Sequence, residues 1–231
     1  MRRLKFIFLA LILLLLISSV TSVSAAEKRD DIVIYNNKNS SMKIALTFDD
    51  GPHPSQTIKI LDILDKYGIK ATFFAVGINV DNYGQSLVEV ARRGHEIGNH
   101  TNTHPKVSKL DYNSLKKEFI ECESKISGLC NYNTKLLRPP EGMIDSGVTD
   151  IARELGYKVI LWDIDTRDWA KTPPQKIAEH VVSKVSSGDI ILMHDYIGKN
   201  SPTAEALELF IPKLLDMGYK FVVVSELIES Q

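Results

Sequence analysis

Two carboxylates stand side by side, Asp49 and Asp50, where the apolar run KIALTF ends in TFDDG (47–51). Further on, NHTNTHP sets His100 and His104 four residues apart. If that stretch makes a helical turn, both imidazoles lie on one face and can share a metal ion. Two histidines and one carboxylate form the three-ligand open site of catalytic zinc, and cobalt, nickel or manganese also accept that donor set. Successive side chains at a strand end point different ways. One aspartate can therefore hold the metal while its neighbour accepts a proton from water. Each fragment alone has a plainer explanation: Asp-Asp-Gly-Pro makes a good solvated turn, and H-x-x-x-H occurs by chance on helix surfaces.

The other reactive residues change that balance by where they fall. Arg138 follows KLL, Asp165 and Asp168 follow YKVILW, and His194 follows DIILM. A histidine at a strand end near carboxylates suits a general acid, and a carboxylate such as Asp165 could orient it and raise its pKa.

The elements that must position these residues are legible in the periodicity. From Met42, short β-rich runs (KIALTF, KATFFAV, HEIGN, LLR, YKVILW, DIILMH, KFVVV) alternate with amphipathic stretches that stop at Gly68, Gly94, Gly156, Gly188 and Gly218, as left-handed helix caps do. The rhythm predicts an α/β fold, a distorted, partly open (β/α) barrel with about seven parallel strands, in preference to an open doubly wound sheet. In such a barrel the loops at the carboxyl ends of the strands converge on one face, so the separated polar positions share one pocket.

The 231 residues suit one domain of barrel size. The opening carries Arg2, Arg3 and Lys5, an apolar run from Phe6 to Ile17, and small residues Ser24, Ala25 and Ala26. That is the layout of a secretory signal peptide over residues 1–26, or of an uncleaved anchor over 6–20. Its removal takes the formal charge from 28 − 29 = −1 to 25 − 29 = −4, which recommends no nucleic-acid partner. Residues 27–41 read as a polar linker and 42–231 as the catalytic domain. A monomer, exported to the extracellular side or the cell wall, is expected. Cys122 and Cys130 could pair in an oxidising compartment or remain two small apolar residues.

Five ordered segments, TFDDG (47–51), HTNTHP (100–105), RPP (138–140), DTRDW (165–169) and LMH (192–194), resemble the signature segments of the polysaccharide deacetylases, carbohydrate esterase family 4. The resemblance covers about residues 42–228. It implies an enzyme that removes N-acetyl groups from amino sugars of peptidoglycan or chitin-like glycans through metal-activated water. It also implies roles for individual residues. Asp49 matches the catalytic base and His194 the general acid, while Asp50, His100 and His104 match the ligands of one divalent metal, zinc by donor type. Arg138 matches the arginine that positions a catalytic carboxylate, and Asp165 a carboxylate that tunes charged neighbours. Trp169 and Leu192 match the walls of the pocket for the acetyl methyl, with Pro140 and Glu141 on the substrate side.

The chain departs from the family at RPPEG, where Glu141 stands in place of the usual tyrosine. A backbone N–H donor survives that change, but one wall of the groove becomes a carboxylate. Alternatives within reach of the same residues are a chitooligosaccharide or acetyl-ester deacetylase, and an inactive glycan-binding wall protein. His95 and His180 are expected to be structural or superficial, His53 to sit in an exposed turn, and Trp162 to fill core.

Overall fold

The computed structural model describes residues 32–198 and 200–229; the leader expected over 1–26 lies outside them. Among the described residues there are nine strands: β1 (Val33–Ile34), β2 (Lys43–Asp49), β3 (Thr72–Ala75), β4 (Glu96–Asn99), β5 (Leu136–Leu137), β6 (Lys158–Ile160), β7 (Ile164–Asp165), β8 (Ile190–His194) and β9 (Lys220–Val222). Seven helices accompany them: α1 (Gln56–Lys66), α2 (Gly77–Arg92), α3 (Tyr112–Cys130), α4 (Ser146–Leu155), α5 (Pro174–Lys184), α6 (Thr203–Asp216) and α7 (Val224–Glu229). The sheet runs β1-β6-β5-β4-β3-β2-β8-β7, with β9 also beside β2, and its strand pairings are parallel.

Strands β6 and β7 are separated in sequence by only Leu161–Asp163, yet β6 lies near one end of the path and β7 ends the other. Four Cα steps span at most about 14 Å, so the sheet must curl until its ends approach. The linking residues bridge the seam: the Leu161 N–H donates to Ile34 of β1 (2.8 Å) and the Asp163 N–H to Ile190 of β8 (3.0 Å). The result is a distorted, partly open barrel.

The expected seven strands become nine because β1 and β7 are two residues long, too short for any periodicity to register. β1 lies within the 27–41 stretch: Val33 and Ile34 pair with Val159 and Ile160, so the sheet begins before Met42.

Because helices cover the outside and side chains fill the inside, β2 reads as a continuous apolar run with six consecutive buried residues. α1 packs through Ile60, Leu61, Ile63 and Leu64, the spacing of one helical face. α6 meets α1 and α5 through Phe210, Ile211 and Leu214, each worth about 1.5–3 kcal/mol in burial. Inside the barrel, fully buried Arg138 takes a place that an apolar side chain would ordinarily fill.

Cys122 and Cys130 both lie on α3 and are free thiols. Eight residues of helix separate them by about 12 Å along the axis, beyond the reach of a disulfide, so the unpaired reading holds. Cys122 donates to the Ala75 carbonyl (3.2 Å), and burial pushes its thiol up to about 12. Among the described residues no helix is long and apolar enough to cross a membrane.

Candidate active site and metal centre

Parallel register brings the chemistry to one level. Asp49 at the end of β2 lies opposite His194 at the end of β8. Asn99 of β4 lies opposite Leu137 of β5, which places His100 and Arg138 one residue beyond. The chain then turns at Asp50, whose φ of 75° is left-handed and uncommon for a residue with a side chain. Gly51 must follow, because a Cβ there would run into the buried Asp195 carboxylate.

Asp50, His100 and His104 present one ligand atom each, all within 4.8 Å of one another. The Asp50 carboxylate lies 3.5 Å from His100 Nε2 and 3.3 Å from His104 Nε2. Ligands about 2.1 Å from a tetrahedral ion stand about 3.4 Å apart, so this spacing fits one small divalent cation. His100 Nδ1 meets the Arg138 carbonyl at 2.7 Å. A carbonyl can only accept, so that nitrogen carries the proton and Nε2 is left with its lone pair toward the triad.

The expected helical turn is absent: the histidines sit in a loop with left-handed φ at Thr101 (69°) and His104 (54°). The Asn99 side chain accepts from the Thr101 N–H (2.9 Å), and the rings come to 5.1 Å between centroids. In the metal-free protein, burial opposes protonation of His100, but Asp49, Asp50 and the Arg138 carbonyl outweigh it and raise its pKa. Burial and the charge of His100 hold His104 below the ordinary imidazole value. Burial works to raise Asp50, yet the three neighbouring histidines hold it below the usual carboxylate range.

Asp49 belongs to a different network. The Arg138 guanidinium donates to Asp49 (2.7 Å), Thr47 (2.8 Å) and the carbonyls of Ile160 (3.0 Å) and Leu161 (3.2 Å), with Phe74 4.1 Å below its plane. An arginine with several of its donors used this way is a strut across the barrel, joining β2 to β6, and a counter-charge for Asp49. Burial pulls the guanidinium down and Asp49 opposes that.

The partner of His194 corrects the expectation placed on Asp165. Asp168, fully buried in a short 3-10 turn (Asp168–Ala170), accepts from His194 Nδ1 (2.7 Å), and its second oxygen takes the His194 backbone N–H (2.9 Å) and the Thr203 hydroxyl (2.7 Å). Arg167, at φ 54°, turns the chain so that Asp168 points inward. Asp165 instead accepts from the Arg167 N–H (2.8 Å) and faces Trp169 Nε1 at 3.4 Å. Burial works against charge on His194, but the Asp168 hydrogen bond and the charges of Asp168, Asp49 and Asp50 raise its pKa to about 9.

A cavity of about 380 Å³ opens on these groups, walled by Glu141, Trp162, Asp165, Trp169 and Leu192 together with Asp49, Asp50, His104 and His194. Trp162, expected in the core, is a wall residue and also lies over Arg138 at 5.5 Å. Glu141 (φ 57°) and Gly142 (φ 65°) are both left-handed, and a Cβ at Gly142 would press on the Trp162 ring at 2.7 Å. Pro140 is buried in that turn and is not a wall residue. Sequence reasoning missed Asp195, whose carboxyl is pushed up to about 7 by burial and accepts from the Thr57 hydroxyl (2.5 Å). His95 is buried, accepts from the Ala71 N–H (3.2 Å) and is held neutral to about 4 by burial, while His180 is exposed, both as expected. His53 is half-buried and stacks on Tyr196.

The polysaccharide deacetylase family model matches residues 36–160. A peptidoglycan-N-acetylglucosamine deacetylase of Bacillus cereus is 39% identical over 198 residues, 85% of this chain and 92% of that protein. The peptidoglycan-N-acetylmuramic acid deacetylase PdaC of Bacillus subtilis is 37% identical over 80% of this chain, which spans 38% of its length. Among solved structures, the Bc1960 peptidoglycan N-acetylglucosamine deacetylase superposes with a TM-score of 0.83 at 31% identity, covering 87% of this chain and 94% of that one. BA3943 of Bacillus anthracis, a pseudoenzyme of carbohydrate esterase family 4, reaches 0.80 at 30% identity, covering 86% and 69%. Similarity this extensive, on a curled parallel sheet with all five segments at its mouth, means that the chain belongs to the polysaccharide deacetylase family, carbohydrate esterase family 4, and is a deacetylase.

Proposed function

We propose that this protein removes N-acetyl groups from amino sugars of a cell-wall glycan, peptidoglycan first among them, using one divalent cation held by Asp50, His100 and His104. The observation that carries the reading is one cavity whose walls bring Asp50 and His104 of this ligand set together with a carboxylate, Asp49, and a histidine with a raised pKa, His194. The donor set favours zinc, with cobalt, nickel and manganese as substitutes. When bound, such a cation supplies Lewis-acid polarisation of a carbonyl oxygen and makes water a stronger nucleophile at neutral pH.

The remaining chemistry belongs to side chains of this chain. Asp49, held by Arg138, takes the proton of the attacking water. His194, kept protonated by Asp168, gives a proton to the departing sugar nitrogen, which leaves as an amine rather than an amide anion. Leu192 and the tryptophan rings exclude water around the acetyl methyl. Acetate and a free amino sugar result. Relatives named for wall peptidoglycan and the leader-like segment over 1–26 support export to the wall.

The relatives divide between N-acetylglucosamine and N-acetylmuramic acid. Here Glu141 and Asp165 add to the cavity two carboxylates beyond Asp49, which Arg138 pairs, and Asp50, which belongs to the cation site. Like charges across a binding surface suppress the wrong partner, so the site favours N-acetylglucosamine over the lactyl carboxylate of muramic acid. The pseudoenzyme neighbour favours a second reading, a glycan-binding protein without turnover. Mass spectrometry of peptidoglycan and chitooligosaccharides, after incubation with zinc-loaded protein, separates the two. Loss of 42 mass units on N-acetylglucosamine is expected. Bound but unaltered glycan establishes the second reading, and loss confined to muramic acid, undiminished in Glu141→Tyr, removes the role given to Glu141.

A further inference from the structure

A second cavity of about 600 Å³ lies beside the first and shares no wall residue with it. It is built from the continuations of the two strands that carry Asp49 and His194. His53 comes three residues after Asp50, and Tyr196 two after His194. Those separations span at most about 11 Å and 7 Å, so the second cavity lies within reach of a molecule anchored in the first. One carboxylate joins them: Asp168 accepts from His194 on the first side and from Thr203, a wall residue of the second, at 2.7 Å each.

The chemistry of the walls is specific. The His53 and Tyr196 rings stack at 4.8 Å and 16°, and Tyr196 remains 36% exposed, leaving an aromatic surface at the cavity. Around it stand Gln56, Lys59, Ser201 and Thr203, hydrogen-bonding groups, and no acidic residue is among the described wall residues. The Gln56 amide donates to the Gly198 carbonyl (2.6 Å), tying the two loops, while its own oxygen is covered and accepts from none of the described residues. An unsatisfied buried acceptor is unfavourable, so a polar guest that let this loop readjust would be welcomed. An aromatic face ringed by hydroxyl-bonding groups is what a pyranose ring requires: one apolar face and an equatorial belt of hydroxyls.

We propose that this second cavity holds a neighbouring sugar of the same glycan, with Tyr196 as its stacking platform. The inference rests on the reading of the first cavity as a glycan deacetylation site. A sugar bearing a carboxylate meets no like charge among the second cavity's described wall residues, whereas Glu141 and Asp165 add carboxylates to the first. In an alternating polymer this places the carboxylate-bearing unit beside the unit that reacts.

The test is Tyr196→Ala with Tyr196→Phe as its conservative partner. Calorimetry with the N-acetylglucosamine hexamer reads affinity. Acetate release from the hexamer and from a small aryl acetate, which occupies only the first cavity, reads selectivity. The expected result is a five- to tenfold weaker hexamer affinity in Tyr196→Ala, an equal fall in the hexamer-to-aryl-acetate ratio of kcat/KM, and recovery of both in Tyr196→Phe. Unchanged hexamer affinity, an equal loss on both substrates, or Tyr196-dependent binding of stem peptides in place of sugars overturns the proposal. If wild-type protein binds the hexamer but releases no acetate, the deacetylase reading of the first cavity fails, and the second cavity is still decided by whether Tyr196→Ala weakens binding.

Discussion

The site has two halves built on different terms. In the half that handles protons, each acid is met by an opposite charge at hydrogen-bond distance: Asp49 with Arg138 and Asp168 with His194, both at 2.7 Å. In the half proposed for the cation, Asp50 stands 3.3 and 3.5 Å from two imidazoles. That is too long for charge-assisted hydrogen bonds, but it is right for neighbouring corners of a coordination shell. The first half is completed by the protein's own groups; the second is spaced for a guest. Arg138 and Asp168 are sealed, as is His100, while the His104 side chain is 38% exposed and opens the cation half to the cavity.

The contrast is broken most directly by Asp49→Asn. If the halves are separate, turnover falls by about 10²–10⁴-fold while elemental analysis still finds one metal per chain. His104→Ala should do the reverse to the metal, lowering its stoichiometry; metal loss in Asp49→Asn would merge the halves.

Next in size is Arg138→Met, which strands a buried carboxylate at a cost of about 3–5 kcal/mol, visible as a lower denaturation midpoint in urea. Asp49→Asn combined with Arg138→Met should recover part of that loss, because the charge left unpaired has gone. Additive losses would show that the strut acts through packing alone.

Asp168→Asn sharpens the proton half. His194 has a folded pKa of about 9 against an ordinary value of 6.5, so its acid form persists well above neutrality. The alkaline limb of the pH–rate profile should move toward the ordinary imidazole value in the variant. The same raised pKa stabilises the fold fully below about 6.5 and is lost as pH rises through about 9. Thermal melts of chelator-treated wild type should show that decline, and Asp168→Asn should flatten it. An unmoved limb would deny Asp168 its hold on His194.

The smallest expected change is for Trp169→Ala, an exposed wall residue. A several-fold rise in KM for glycan with little change in kcat matches the modest value of one aromatic contact. A collapse in kcat would move Trp169 into the proton half.

The strand-end residues were legible in two ways: Asp49 and His194 close long apolar strand runs, while His100 and Arg138 follow the short runs HEIGN and KLL. The sequence pointed to Asp165, where the structure uses Asp168. Both follow one strand, and the choice was made by a left-handed Arg167 in a turn that leaves no periodic trace. His100 and His104 were paired correctly by spacing but for the wrong backbone, since a loop with two left-handed residues gives the proximity that a helical turn would. Trp162 read as core because it continues an apolar strand, while its position at the barrel seam turns it toward the cavity. β1 and β7 escaped notice for want of length.

The strand that carries both aspartates also constrains the order in which the molecule can be completed. β2 is bordered by β3, by β8 and, along Lys43–Ala45, by β9, whose residues come some 177 positions later. Contacts at such separation raise contact order and slow folding, and a chain still emerging from the ribosome lacks two of the three strands that border β2, among them β8, which lies opposite Asp49. Hydrolytic competence therefore arrives late, with the whole chain, and a precursor interrupted before residue 190 carries the TFDDG segment without the neighbours that give it function.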